Sequence, residues 1–378
     1  MKSRVLHFLS CSLLLVFLSL FPTPLLHAQL GLCAPDATAV GPAAPPPPQA
    51  MPSYYPWVKG KAGDQSTVQG QHSGLVGWPN IVGNNVFYTA IDDVTFANAV
   101  GTGLSNQDGN GNDYTSVPLV FVFGECFGGG MIDELDAIVS QTTNPTSIVS
   151  ASFFNQRALY PLNEGGNDLD FVWAYYIALG TLNNPTAQPV AAQAAANDPF
   201  GWGASPSPPR NGEVLGSETP EYYSNNGGDT IALKRNNNEV NRIILWAGIP
   251  EATDDYQLSE LVKTFLDLGY KKENIVVFFG AGWYTPGNSI LVKTMKDTGF
   301  KASHLRLAFP GDLQTQLDKW AFPAGTQNPP KFFFFLAADH GCNNAFQLAD
   351  WEKRNGEEPL APGGEGAWGN GPGSQPPD

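Results

Sequence analysis

The chain has 378 residues, 12% of them aromatic, which suffices for one large or two ordinary domains with a sizeable core. A formal net charge of -15 opposes phosphate backbones and anionic bilayers, so neither nucleic acid nor a membrane surface is an expected partner. The 41 glycines and 32 prolines exceed the usual share, and long loops follow from them.

Lys2 and Arg4 precede an apolar run from Leu9 to Phe21, and Leu26-His27-Ala28 closes it with a small residue suited to a signal peptidase. Residues 1–28 therefore read as a secretory signal peptide, with a run too short and too broken by Ser10, Ser12 and Ser19 for a membrane anchor. A lipoprotein reading at Cys33 is opposed by Leu32, which stands where a small residue is needed. The expected location is secreted or periplasmic, in either case extracytoplasmic, with no membrane contact once the signal is removed. Loss of the signal takes Cys11 and leaves Cys33, Cys126 and Cys342. An oxidising compartment pairs thiols, so an odd set leaves one reactive candidate. A Cys33 to Cys342 bridge with Cys126 free is expected; the alternative is three reduced, buried cysteines.

Residues 29–53 form a proline-rich spacer that includes Pro45 to Pro48. A short helical pattern covers Ala90 to Val100. Asn106 to Asp113, NQDGNGND, lacks the glycine and glutamate that a calcium loop counted from Asp108 requires at its sixth and twelfth positions, so it reads as a turn. Val117 to Phe123, VPLVFVF, has the composition of a strand buried on both faces. It stops at Gly124; Glu125, Cys126, Phe127 and three glycines follow, then Met131, Leu135 and Ile138 at helical spacing. A thiol thus stands at a strand-to-helix turn, where backbone N-H groups and positive potential favour thiolate.

Thr146 to Ser152 reads as a short strand, Leu169 to Leu182 as an apolar helix, and Asn183 to Glu239 as a long loop without lasting periodicity. Asn241 to Gly248, Asp255 to Leu268 and Asn274 to Gly280 then read as strand, helix and strand, a βαβ unit. Asp312 to Ala321 gives a further helix. Lys331 to Ala337, KFFFFLA, gives a buried strand that ends in Ala338-Asp339-His340-Gly341-Cys342, and residues 363–378 are a glycine- and proline-rich tail expected to be disordered. The alternation predicts an α/β fold, a mainly parallel sheet with helices on both faces in three layers.

Taken singly, a cysteine among aromatics is most often an inert core residue and a strand-end histidine a structural one. Together they differ. After signal removal the histidines are His72, His304 and His340, and His340 alone ends an evident buried strand. Parallel strands would deliver Cys126 and His340 to one sheet edge, as a nucleophile and its proton acceptor, with the N-H groups of Gly341 and Cys126 as oxyanion donors. Three scattered histidines and dissimilar cysteine spacing give no metal ligand set, and no cofactor is expected.

FFFFLAADHG and VFVFGECFGGG resemble the strand ends of the caspase-like cysteine peptidases, most nearly the legumain family, whose strands end in Asp-His-Gly and Glu-Ala-Cys. GLVGWPN from Gly74 resembles a segment such enzymes carry shortly after the histidine; SIVSAS from Ser147 and IILWAG from Ile243 add to the likeness. The resemblance implies an endopeptidase acting on peptide or protein substrates, with Cys126 as nucleophile, His340 as general base and Gly341 in the oxyanion hole; Glu125, Ser152 and Asp255 are the residues expected to bind substrate. Those enzymes place the histidine half before the cysteine half. Here the order is reversed, which implies a circular permutation of one domain, residues 54–362: a cysteine half at 54–182, a connecting loop at 183–240 and a histidine half at 241–362. Two departures concern specificity. Thr253 to Gln257 stands where legumains carry an arginine and a histidine, and Gly124 stands where they carry the acid, with Glu125 next to the thiol. A carboxylate-lined pocket of this kind would prefer lysine or arginine. Transpeptidase or ligase action and a non-catalytic secreted binding module are the alternatives.

Overall fold

Runs of β-branched and aromatic residues set the strands of this protein, for which a computed structural model describes residues 73–76, 80–82, 85–87, 90–125, 128–152, 158, 170–198, 220–236, 238–248, 252–285, 289–338 and 341–343. In chain order the elements are β1 (Ser73–Val76), β2 (Asn80–Val82), β3 (Asn85–Phe87), β4 (Ala90–Asp92), α1 (Asp93–Ser105), β5 (Leu119–Phe123), a 3-10 turn (Gly128–Met131) and α2 (Ile132–Val139). Next come β6 (Thr146–Ser150), α3 (Phe171–Thr181), α4 (Ala187–Asn197), β7 (Glu221–Asn225), β8 (Asn241–Ala247), α5 (Ala252–Asp267) and β9 (Ile275–Phe279). The series ends with α6 (Ile290–Asp297), β10 (Leu305–Arg306), α7 (Pro310–Thr315) running into a π-helical turn (Gln316–Ala321), β11 (Phe332–Ala337) and β12 (Gly341–Asn343).

Seven strands form the main sheet in the order β10-β9-β8-β11-β5-β6-β7. Every neighbouring pair is parallel except β6 with β7. The strands Ile243 to Trp246, Phe332 to Leu336 and Leu119 to Phe123 therefore run side by side. All residues of β5, β9 and β11 are buried, as strands covered on both faces require. From β8 the chain steps outward through β9 to β10, then returns through α7 to lay β11 on the other side of β8. The pair β8 and β11 is thus the point where the direction of winding reverses, and ligand crevices of open α/β sheets lie outside the carboxyl ends of such a pair.

Period-two alternation divides the core into two layers. Phe121, Phe123, Phe333 and Phe335 face α1, α2 and the π-helical turn, with the Phe96 ring 4.8 Å from that of Phe335. Val120, Val122, Phe334 and Leu336 face α3, α4, α5 and α6, with Phe265 5.0 Å from Phe334 in an edge-to-face pair. A second, antiparallel sheet runs β12-β1-β4, and β2 pairs with β3. In it Leu75, Gly74 and Ser73 face Gly341, Cys342 and Asn343.

Several boundaries differ from expectation for identifiable reasons. The helix expected over Ala90 to Val100 begins only at Asp93, because residues 90–92 pair with β1 and the Asp92 carboxylate accepts from the Thr95 N-H at 2.6 Å as a helix N-cap. The stretch expected as one long loop holds α4 and β7. Pro189 falls in the first turn of α4, where its missing N-H costs nothing, and β7 is a short edge strand rich in tyrosine. The helix expected from Asp312 starts at Pro310 and widens into the π turn, where the Asn106 amide donates to the carbonyls of Asp318 and Phe322 at 2.8 and 2.9 Å. Asp108 organises the turn at 106–113 by accepting from the N-H groups of Asn110 and Asn112 at 2.7 and 3.0 Å. The expected signal peptide, proline-rich spacer, tail and Cys33 lie outside the described residues; among those described, no helix is long and apolar enough to cross a membrane.

Candidate functional site

One continuous row of register partners crosses the carboxyl edge of the sheet: Phe278, Trp246, Ala337, Phe123, Ser150 and Glu221. Backbone pairing continues one step past the row. Ala338 N donates to Trp246 O at 2.9 Å, Gly124 N to Ala337 O at 2.8 Å and Ala151 N to Phe123 O at 2.8 Å. Cys126 is three residues beyond Phe123 in sequence and His340 three beyond Ala337, and both residues lie outside the described ones. Gly341 opens β12 opposite Leu75.

The ends of β5 and β6 are tied by a small network. Gly128 N donates to Glu125 O at 3.2 Å, Gly129 N to Ser152 O at 2.8 Å, Ser150 Oγ to Ser152 O at 2.7 Å and Ser152 Oγ to Glu125 O at 3.4 Å. Glu125 is 1% exposed and Ser152 fully buried, so both belong to the wall of this edge. The glycines after Phe127 form the 3-10 turn that leads into α2, and β1 lies against that turn. Thus β1 touches both the segment that follows Cys126 and, through β12, the segment that follows His340.

Asp255, the third residue expected to bind substrate, is committed to a helix terminus. Its Oδ1 accepts from Ser289 Oγ at 2.7 Å and Leu291 N at 2.8 Å, and its Oδ2 from Ile290 N at 2.8 Å, which caps α6. His304 is structural, with Nδ1 2.8 Å from Ile275 O and its ring edge-to-face with Phe300. Among the described residues no group of three or more histidines, cysteines or carboxylates is placed to hold a metal ion.

Two residues of this edge escaped sequence reasoning. Asp170 caps α3 by accepting from Trp173 N at 2.7 Å, and its second oxygen accepts from Gln257 Nε2 at 2.6 Å. An aspartate just before an apolar helix is a legible N-cap signal, whereas nothing in the sequence marks Gln257 as the partner of Asp170. Val172, in the first turn of α3, packs on the end of β5. A Cβ on Gly124 would fall 2.1 Å from Val172 Cγ2 and 3.0 Å from Ala337 O. Burial first, then Tyr256, Glu260 and Asp170, raise the Tyr176 phenol, so it stays protonated at neutral pH. Comparison of the chain with protein-family models, curated proteins and solved structures found no match.

Proposed function

We propose that this chain is an exported, caspase-like cysteine endopeptidase of circularly permuted order, in which Cys126 and His340 act on a peptide bond at the carboxyl edge of the main sheet. The observation that carries the reading is the pairing of Phe123 with Ala337 on adjacent parallel strands. Neighbouring strands are about 4.8 Å apart and three residues span at most about 10 Å, so the chain segments bearing the thiol and the imidazole set out from neighbouring points. The reversal of winding beside β11 supports the same location. The antiparallel pairing of β1 with β12 supports the permuted order, because it sets GLVGWPN beside the segment after His340, where the resemblance wants it.

In this mechanism the imidazole of His340 takes the Cys126 proton and the thiolate attacks the substrate carbonyl carbon. The carbonyl π pair moves onto oxygen, held by the N-H groups of Gly341 and Cys126. Collapse breaks the C-N bond, and the departing amine takes the proton from the imidazolium. Water then adds to the thioester with His340 again accepting a proton; the acid leaves and the thiol is restored. An amine in place of water would give peptide ligation.

A peptide bearing a thiol-reactive acyloxymethyl ketone tests the reading. Labelling of the native protein that disappears in Cys126→Ala and falls sharply in His340→Ala is expected, and labelling indifferent to both substitutions overturns it. A second reading, a binding module without catalysis, draws on Glu125, a buried acid that directly precedes Cys126 in sequence, since a carboxylate close to a thiol opposes thiolate formation. Ordinary thiol reactivity at Cys126 together with specific peptide binding would favour it.

A further inference from the structure

Among the described residues the large apolar side chains most open to solvent are Tyr284 at 85%, Ile290 at 45%, Leu307 at 40% and Phe309 at 38% exposed. All four stand at one corner, where the carboxyl ends of β9 and β10, the outermost strands on that side of the main sheet, pass into α6 and α7. The corner is tightly tied. Ala281 forms an antiparallel bridge with Leu307, Ala308 N donates to Gly280 O at 2.9 Å and Phe309 N to Leu307 O at 2.8 Å. Gly282 opens the 3-10 turn Gly282–Tyr284 with a φ of 68°, and a Cβ there would fall 2.7 Å from the Arg306 carbonyl carbon and the Leu307 nitrogen. The turn thus packs on the end of β10. Tyr284, Leu307 and Phe309 are held in water by hydrogen-bonded backbone, and clustered apolar side chains of this kind mark a docking surface.

Charge and position say what docks there. Residues 271–312, which run from the start of β9 into α7, hold six lysines and arginines against three carboxylates, in a chain whose net charge is -15. At the corner itself Arg306 lies between Leu305 and Leu307, its ion pair with Asp312 at 3.5 Å, and Lys296 covers the Trp283 ring at 5.2 Å with no carboxylate in ion-pair range among the described residues. A second copy joined symmetrically would bring these cations face to face, and one joined through its acidic remainder would pass the contact on without closure. The acidic chain also opposes an anionic bilayer. A polypeptide segment bearing large apolar side chains and carboxylates matches both features of the corner. Position adds the source. The corner lies on the same carboxyl edge as the ends of β11 and β5, and β10 is three strand spacings from β11, about 14 Å, which an extended peptide covers in about four residues.

We propose that this corner is an exosite for the substrate polypeptide, where an aromatic or large aliphatic side chain about four residues from the scissile bond packs on Tyr284, Leu307 and Phe309. A carboxylate beside that side chain meets Arg306 or Lys296. The spacing from the bond rests on the peptidase reading above; the capture of an acidic, apolar segment does not.

Calorimetric titration of the Cys126→Ala protein with a Gly-Ser peptide carrying Asp-Trp-Leu-Asp tests the docking without catalysis, beside versions in which Trp-Leu becomes Ser-Ser or each Asp becomes Asn. Binding about tenfold or more tighter than the Ser-Ser version is expected, with a smaller loss for the Asn version, and both differences should vanish in Tyr284→Ser and in Leu307→Ser. These side chains are exposed, so a cooperative melt like that of the parent is expected, and one well-folded variant suffices. Equal binding of the peptides, or no binding of any, overturns the exosite. So does a dimer in sedimentation that Tyr284→Ser dissociates, or attachment to phosphatidylserine vesicles that Tyr284→Ser abolishes. Cleavage of quenched peptides in which one Trp is stepped along a Gly-Ser-Ala chain separates the two claims. A maximum about four residues from the bond, flattened in Tyr284→Ser, supports both. Cys126-dependent cleavage indifferent to the Trp position overturns the exosite and leaves the peptidase standing. Selective binding with no cleavage of any peptide leaves the docking surface standing and removes the peptidase.

Discussion

At Gly124 the fold leaves no room for a side chain. Its N-H pairs with Ala337 O while Val172 occupies the space its Cβ would take. Gly124→Ala is expected to lower stability by about 1–3 kcal/mol through overpacking, and Val172→Ala in the same chain to recover part of that loss; denaturant midpoints of the four proteins in the cycle check it. Asp255→Ala is expected to cost about 1 kcal/mol, because it strips three hydrogen bonds from the start of α6, and equilibrium unfolding measures it. Asp108 gives a pH-dependent case. Backbone N-H groups of Asn112 and Asn110 hold its carboxyl below the ordinary value, so its contribution to the turn is complete above that value and disappears as pH falls through the lowered one. Hydrogen exchange at the Asn110 and Asn112 amides, corrected for intrinsic rates, should show protection lost in that acid range, and persistence in acid would contradict it.

At the level of elements, the aromatic strands dominate the energetics. Phe334 is fully buried and meets Phe265 edge-to-face, so Phe334→Ala is expected to destabilise by about 3–5 kcal/mol, read from the shift in unfolding midpoint. These strands are also what the sequence makes most legible: LVFVF and FFFFLA are recognisable because burial on both faces demands uninterrupted apolar residues. Elements stabilised from outside themselves are less legible. The strand β7 consists of EYYSN, ordinary in a loop, and its pairing with β6 gives no local signal. Alanine-rich α4 lacks an alternating polar face since most of it is buried, and the π turn owes its carbonyl partners to Asn106, more than 200 residues away in sequence. The same division holds at the candidate site. Strand ends are readable, and β5 and β11 do lie side by side; the Asp170 to Gln257 clamp joins two helices remote in sequence and is not readable.

Across the whole molecule, the two halves of the chain meet in one sheet, and the permuted order is the proposed reading of that wiring. Ser73 and Asn343 are partners in an antiparallel pair, about 5 Å apart. A chain that begins at Pro220, passes from Asn343 through a short turn into Ser73 and ends at Asp198 should therefore fold with the same circular dichroism and a cooperative melt. An unfolded product would contradict the proposed wiring. The chemistry itself requires an ionisable sulfur facing an imidazole, and the rate of Cys126 alkylation by iodoacetamide as a function of pH tests that most directly. A free cysteine titrates near pH 8.5. The account predicts a native profile displaced at least about one unit below that value and returned toward it in His340→Ala. Identical profiles for the two proteins, or Cys126 found in a disulfide, would contradict it.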